Sequence, residues 1–461
     1  MAELSHEACN QRRRGCRWRR TAIVLASACV ALLGLVSGRN AHGQQPVVSA
    51  APQPPVLPTP ELETVPPGEP EKMLSLADLE QMALASNPSV ARASALVGAA
   101  RGNWIQVGLP PNPSIGYDGQ QLGSGGRAEQ QGVLFGQEFV RGGKLRLNRA
   151  VADRELARAQ QELAAQQQRV LTDVRIAFYQ VLLAQRAIDL TESLVGISTQ
   201  GVKTVEALFR AKEANRADVL QAQLEVENAR ILARNARNRH TSAWQGLTAV
   251  VGEPKLPPQP LAGDAFAAPL DIDFQETLQY IQTASPEVAA AAMEIERARA
   301  ALDRARVEPV PNLTVQGLVN VIDNGIGGRP DAGITVSVPI PLFNRNQGAI
   351  LQSQHQIAAA ERALQQLELG IQNRLAAAYE RYTNARYQVE RYRTAILPAA
   401  SESLDLMRKT YEAGETNYVS LLVAQRTYFQ TNINYLEAIQ ALRIAEAEIE
   451  GLLLSNSLQE R

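Results

Sequence analysis

The sequence predicts a mainly α-helical protein with a small β part, built from one unit used twice: a short strand hairpin followed by a very long helix. Three observations carry this. The first is an internal repeat. "SNPSVARASALVGAARGNWIQVGLPPNPSIGYDG", starting at Ser86, is matched by "ASPEVAAAAMEIERARAALDRARVEPVPNLTVQG", starting at Ala284, with Pro88, Pro111 and Pro113 aligning on Pro286, Pro309 and Pro311. Further on, "RAKEANRADVLQAQ" from Arg210 pairs with "EAGETNYVSLLVAQ" from Glu412, so the second half restates the first. The second is length without breakers: residues 145–195 contain neither Gly nor Pro, enough for about 75 Å of helix at 1.5 Å per residue. The third is short alternating segments ahead of each long helix.

Taken in chain order, the amino terminus has a secretory layout. Arg12, Arg13, Arg14, Arg17, Arg19 and Arg20 form a basic head, Thr21 to Val36 is nearly all apolar, and Ala41-His42-Gly43 places small residues where signal peptidase reads. Residues 1–43 are thus expected to be a signal peptide. The run is short for a membrane span, which takes about 20 residues. Lipidation of Cys29 is a further option. All three cysteines, Cys9, Cys16 and Cys29, fall in this stretch, so its removal leaves no thiol chemistry. Residues 44–72 are crowded with proline and are expected to be an extended linker. The first repeat is assigned to residues 73–263, the second to 264–455, and a tail to 456–461; "GEPKLPPQPLAGD" separates the copies.

Each repeat is expected to run short helix, helix, strand, loop, strand, very long helix, tight turn, long helix. Val133, Phe135 and Phe139 alternate with Leu134, Gly136 and Glu138; Leu313, Val315, Val319 and Val321 alternate with Asn312, Thr314, Gln316 and Asn320; Ile334, Val336, Val338 and Ile340 alternate with Thr335, Ser337 and Pro339. The Gly-rich stretches 123–132 and 323–333 are expected as loops. One hairpin per repeat gives a sheet that buries little and leaves two open edges, so something else must complete it. The long helices carry a seam at 3.5-residue spacing: Val170, Val174, Ala177, Val181, Ala184, Ile188 in one copy, and Ile371, Leu375, Ala378, Tyr382, Ala385, Val389, Tyr392, Ile396 in the other. Such spacing means knobs-into-holes packing along the helix, and Tyr379, Tyr382, Tyr387 and Tyr392 are expected to fill gaps between helices.

A formal net charge of -1 gives no basic face for nucleic acid. Beyond the signal, His240 and His355 are the only histidines and no His/Cys/Asp/Glu cluster has ligand spacing, so neither a metal site nor a catalytic constellation is expected, and no cofactor. "GIGGRP" at 325 lies between strands and lacks the helix a phosphate loop needs.

"LSLADLEQMALASNPSV", "GLPPNPSIGY", "EFVRGGKLRLNRAVAD", "PIPLFNRNQGAI" and "ILPAASESLDLMRKTYEAGETNYVSLLVAQRTYFQTNINYL" together resemble the TolC family of outer-membrane efflux channels, over about residues 74–453. The GGK and FNRNQG segments are most similar to its CzcC-type heavy-metal branch. The resemblance implies a homotrimer: three chains of four strands close a twelve-stranded barrel in outer-membrane lipid, and an α-helical barrel continues it through the periplasm. It also implies a periplasmic adaptor protein and an inner-membrane pump (RND type) as partners, with passive conduction opened by untwisting of the inner helices. The adaptor-docking tips then fall at Lys212, Ala214 and Asn215 and at Gly414, Glu415 and Asn417. Lys212 departs from the glycine that Gly414 matches, leaving the form of the first tip open. Asp218 is a candidate tunnel constriction, or simply a helix-start acid facing the dipole; the corresponding region after the second tip holds Ser420 and Val423. The seam from barrel to tunnel is placed at Gly142 and Gly143, and at Pro339, Pro341, Asn344 and Asn346, with Asn344 or Asn346 capping the next helix. The competing reading is a secreted or lipid-tethered coiled-coil scaffold of the envelope.

Overall fold

The computed structural model describes residues 73–122, 128–323 and 329–459. The expected signal peptide, the linker and the centres of both hairpin loops lie outside the described residues.

Local chemistry sets the first helices. Ser75 and Asp78 form a capping box that starts α1 (Leu76–Ser86). Asn87 then starts α2 (Pro88–Gln106): its Oδ1 accepts from Ser89 N, its Nδ2 donates to Val250 O at 2.6 Å, and Pro88 supplies a preset φ at the first helical position. Strands β2 (Ser114–Leu122) and β3 (Ala128–Phe139) come after a two-residue strand β1 (Leu74–Ser75). Next are α3 (Lys144–Arg210) and α4 (Arg216–Val251), which turns out at Gly252 with φ +85; a Cβ there would lie 2.6 Å from Ser86 O. The second copy repeats the order as α5 (Phe274–Ala284), α6 (Pro286–Val307), β5 (Leu313–Asp323), β6 (Asp331–Ser337), α7 (Gln347–Arg391), a π turn at Tyr392–Ile396, α8 (Leu397–Glu412) and α9 (Tyr418–Glu450). Between the copies, β4 (Leu261–Ala262) pairs in parallel with β1.

The helix α3 is longer than its breaker-free stretch predicts. It passes through Gly196 and Gly201 to span 67 residues, about 100 Å. Packing against α4 and the neighbouring α9 outweighs the loss of roughly 1 kcal/mol per internal glycine. In the second copy Pro398 stands where an unbroken α-helix would put its ring against the carbonyl four residues back. The π turn just before it absorbs the conflict. Val170, Val174, Ala177, Val181 and Ala184 are buried, as are Ile371, Leu375, Ala378, Tyr382 and Ala385, while Ile188, Val389 and Tyr392 are half-buried and Ile396 is exposed. The seam thus holds up to the π turn, which rotates the later residues out of register. Tyr382 and Tyr379 fill the gaps expected of them, Tyr382 donating to Leu270 O and Tyr379 meeting Phe274 edge-on at 5.5 Å. Tyr387 lies off the seam and is exposed, contrary to expectation.

The two largest cores lie one around α1, α3 and α4, the other around α5, α7, the end of α9 and the residues just after it. A buried ion pair fastens the connector between the copies. Arg443 donates to Glu446 Oε2 at 2.6 Å and to the carbonyls of Ala265 and Ala267, while Glu446 Oε1 accepts from Leu270 N at 3.0 Å. Both charges there are paired and hydrogen-bonded, the condition under which such burial is tolerated. After α9 the chain hooks back onto α3, where Asp173 accepts from the backbone N–H of Asn456 and Ser457.

Candidate functional site: sheet, corner and helical tips

The four strands form one antiparallel sheet in the order β2-β3-β5-β6. Pairing of Ile115 with Phe135, Tyr117 with Val133, Val133 with Val319, Val315 with Val336 and Gly317 with Ile334 puts the apolar residues on one face. Asp118, Glu138, Thr314, Gln316, Asn320, Thr335 and Ser337 occupy the other. Among the described residues nothing covers the apolar face: Ile334 is 79 % exposed and Ile115 72 %. The strands reach further into the expected loops than the sequence implied, since β3 begins at Ala128 and β6 at Asp331. The last strand ends at Ser337, so Val338 and Ile340, expected to extend it, lie beyond it. A bulge at Gln131/Gly132 adds twist. Strand lengths of 9, 12 and 11 residues for β2, β3 and β5 suit a tilted membrane crossing, which takes about 9–11. Both edge strands, β2 and β6, are unpaired on their outer side among the described residues.

At the foot of the sheet each copy turns a corner into its long helix. In the first, Gly142 and Gly143 are left-handed (φ +69 and +67), and a Cβ on Gly142 would sit 2.8 Å from Val307 Cγ1. In the second, Pro339 and Pro341 lie beyond the last strand, where a missing N–H leaves no ladder bond unmade. Asn346 occupies the position of Gly143 with φ +62. The expected side-chain cap is not there. In the left-handed conformation the Asn346 amide points back and donates to Ala305 O at 2.8 Å, pinning the corner to α6, and Asn344 Oδ1 accepts from Asn346 N at 3.0 Å. Around the first corner, Lys144 is buried and pairs with Glu308 at 3.7 Å, and Asn312 Nδ2 donates to Glu138 Oε1 at 2.7 Å.

At the far end the two tips share one turn. Lys212 has φ +64 and Gly414 φ +76. In both, the N–H one residue past the left-handed position reaches back into the helix: Glu213 N donates to Leu208 O and Glu415 N to Thr410 O, each at 2.9 Å. Lysine in place of glycine therefore leaves the form of the turn unchanged. Ala214 packs into a small core of Val205, Val219, Ala222 and Tyr418. Asn215 caps α4 in a reciprocal box with Asp218, which accepts from Asn215 N at 3.0 Å; Asn417 caps α9 by accepting from Ser420 N. Asp218 is thus a structural cap in the single chain. Burial pushes the Tyr418 phenol up to about 12, with the neighbouring Tyr411 and Glu225 adding to it. Burial also raises Tyr411, with Asp218 adding its charge.

A link between the two repeats went unseen in the sequence. Glu225 of α4 is 6 % exposed and accepts two hydrogen bonds from Arg426 of α9, at 2.8 and 2.5 Å. Only a neighbour from the other repeat makes that acid's burial intelligible, and the repeat pattern carries no sign of it.

Among the described residues no group of His, Cys, Asp and Glu is arranged to hold a metal, and no helix is long and apolar enough to cross a membrane. A sheet with one lipid-compatible face and two open edges, standing on helices of this length, defines the channel-tunnel class of fold. The family model described as "Outer membrane efflux protein" matches residues 79–253 and 277–453, one match per repeat. The chain belongs to that family, an outer-membrane efflux channel protein whose helical part lies in the periplasm. It is 28 % identical over 382 residues to the cobalt-zinc-cadmium resistance protein CzcC of Cupriavidus metallidurans, covering 82 % of this chain and 90 % of that one. A membrane protein from Pseudomonas aeruginosa shares the fold with a TM-score of 0.68 at 20 % identity, covering 86 % of this chain and 99 % of that one. CusC does so with a TM-score of 0.66 at 18 %, covering 88 % and 99 %.

Proposed function

We propose that three copies of this chain assemble into the passive exit duct of a tripartite efflux system. The observation that carries the reading is the sheet: four strands, one apolar face exposed, and both edges unsatisfied. Lipid offers no hydrogen-bond partner to a strand edge, so a membrane sheet must close on itself. Edge β6 of one copy meeting β2 of the next achieves that with three chains. Ile340, Leu342 and Phe343, all exposed beside the corner, then lie at the membrane boundary.

The tips around Lys212, Ala214 and Asn215 and around Gly414, Glu415 and Asn417 are the docking points for a periplasmic adaptor, which connects the duct to an energised inner-membrane pump. Asp218, repeated by symmetry, is the acid available to narrow the tip end of the tunnel. The cargo is heavy-metal cations. Likeness to a cobalt-zinc-cadmium resistance protein supports that cargo, and the absence of any metal-holding cluster among the described residues suits passage without retention. Purified full-length protein in detergent is expected to migrate as a heat-modifiable trimer and to form conducting pores in planar bilayers; a soluble, non-conducting dimer overturns the reading. For cargo, deletion of the gene is expected to raise zinc, cobalt or cadmium sensitivity, restored by the wild-type chain. Unchanged metal tolerance removes the metal assignment and leaves the duct.

A further inference from the structure

The strands of the sheet are one-sided in charge. Within their sequences Asp118, Glu129, Glu138, Asp323 and Asp331 are the charged residues, and none is Lys or Arg. Two of them, Asp118 and Asp331, share one row. Asp118 pairs with Gly132, Gly132 with Asn320, and Asn320 with Asp331, so one ladder row crosses all four strands on the polar face. It lies toward the hairpin loops, away from the corner.

The side chains of that row are organised. Asn320 is 7 % exposed, and its Nδ2 donates to Asp331 Oδ1 at 2.7 Å. Its Oδ1 lies over Gly132, only 2.5 Å from where a Cβ would be, which directs it along the row toward the strand of Asp118. That oxygen is buried and accepts no hydrogen bond from the described residues. Gln120 Nε2 donates to Asp118 Oδ2 at 2.7 Å and steadies the other end. A buried carbonyl-type oxygen without a donor is uncommon, and between two carboxylates it favours a positive ligand. Arg329, exposed in the adjoining loop, is the nearest described cation in the chain before Asp331.

We propose that Asp118, Asn320 and Asp331 form a cation-selecting belt on the lumen wall of the barrel, near its outer mouth. The inference rests on the duct reading, in which the polar face lines the lumen and the row recurs in each subunit. All-oxygen donors of this kind suit small, hydrated divalent cations held briefly, and rings of carboxylates favour cations in pores. The belt sits at the opposite end of the molecule from Asp218.

The test is the reversal potential of the full-length protein in planar bilayers under a KCl gradient, without and with CaCl2. Wild type is expected to prefer K+ over Cl−, with the preference falling as Ca2+ is added. The double variant Asp118→Asn, Asp331→Asn is expected to lose at least about threefold in cation-to-anion permeability and to lose the Ca2+ response. Asp118→Asn alone, which leaves the Asn320–Asp331 bond intact, is expected to give a smaller shift and serves if the double variant fails to assemble. Conducting pores whose selectivity and Ca2+ response are unchanged by either variant overturn the belt and leave the duct. Absence of any conductance from the wild-type trimer overturns the duct reading and the belt with it.

Discussion

The two repeats solve the same problems with different residues. At the tips, Lys212 and Gly414 adopt one left-handed turn. At the corners, Gly143 and Asn346 hold one left-handed helix start. The backbone path is the shared quantity, and side chains are free to differ where the path is already fixed by long packed helices on either side. Where the copies must instead touch each other, as at Glu225 and Arg426, neither has an equivalent, because an interface between two unlike halves has no internal symmetry to copy.

The corners give the largest way to break this comparison. Gly142→Val adds both a left-handed penalty and a clash with Val307 and Val310; a loss of about 3 kcal/mol or more is expected, read as loss of trimer on unheated gels. Pro339→Val with Pro341→Val is expected to lower trimer yield while leaving far-UV helix content unchanged. Normal trimer from both variants would move the seam elsewhere.

The link between repeats comes next. Glu225→Ala leaves Arg426 without its buried partner, but Arg426 is half open to water, so a loss of about 1–3 kcal/mol is expected rather than the full cost for a buried pair. It is measurable as a drop in thermal midpoint, and Arg426→Ala, which strands the buried Glu225 carboxylate, should bring a larger drop. No drop in either variant would mean that the pair contributes nothing.

The tips sharpen the comparison directly. Lys212→Gly is expected to stabilise by about 1 kcal/mol and Gly414→Lys to destabilise by a similar amount, because a Cβ in the left-handed region meets the next carbonyl. Equal and opposite shifts in denaturant midpoint would confirm that one turn serves both copies. Unequal shifts would show that one tip draws on support beyond its own turn.

The smallest effect is confined to alkali. The folded pKa of Tyr418 lies above the ordinary phenol value of 10.0, at about 12. Its contribution is therefore complete below pH 10 and is lost as pH rises from 10 to 12. Tyr418→Phe is expected to flatten the pH dependence of stability in that window and to leave stability at neutral pH nearly unchanged.

Much of the architecture was legible in the sequence. The repeat, the order of its elements, the alternation of the strands and the buried seam from Val170 to Ala184 all come from period and from the placement of proline. Some features were legible only in outline. Pro398, just past the end of a seam, is a signal for a break, but whether the helix kinks, ends or takes a π turn depends on what packs beside it. Asn346 has the composition of a cap, yet its backbone is left-handed and its amide goes to Ala305 O.

The amino-acid sequence by itself determined the elements and which face of each is apolar, because periods of 2 and 3.5 are local properties of the chain. Only the tertiary structure decided the rest. The Asp118–Gly132–Asn320–Asp331 row depends on strand register, including a bulge that no composition announces. The Glu225–Arg426 pair joins the two repeats, and the Arg443–Glu446 clasp holds a connector far away in the chain. Register and long-range pairing are set by the joint packing of all the elements, and a local pattern carries no information about which distant partner completes a buried charge.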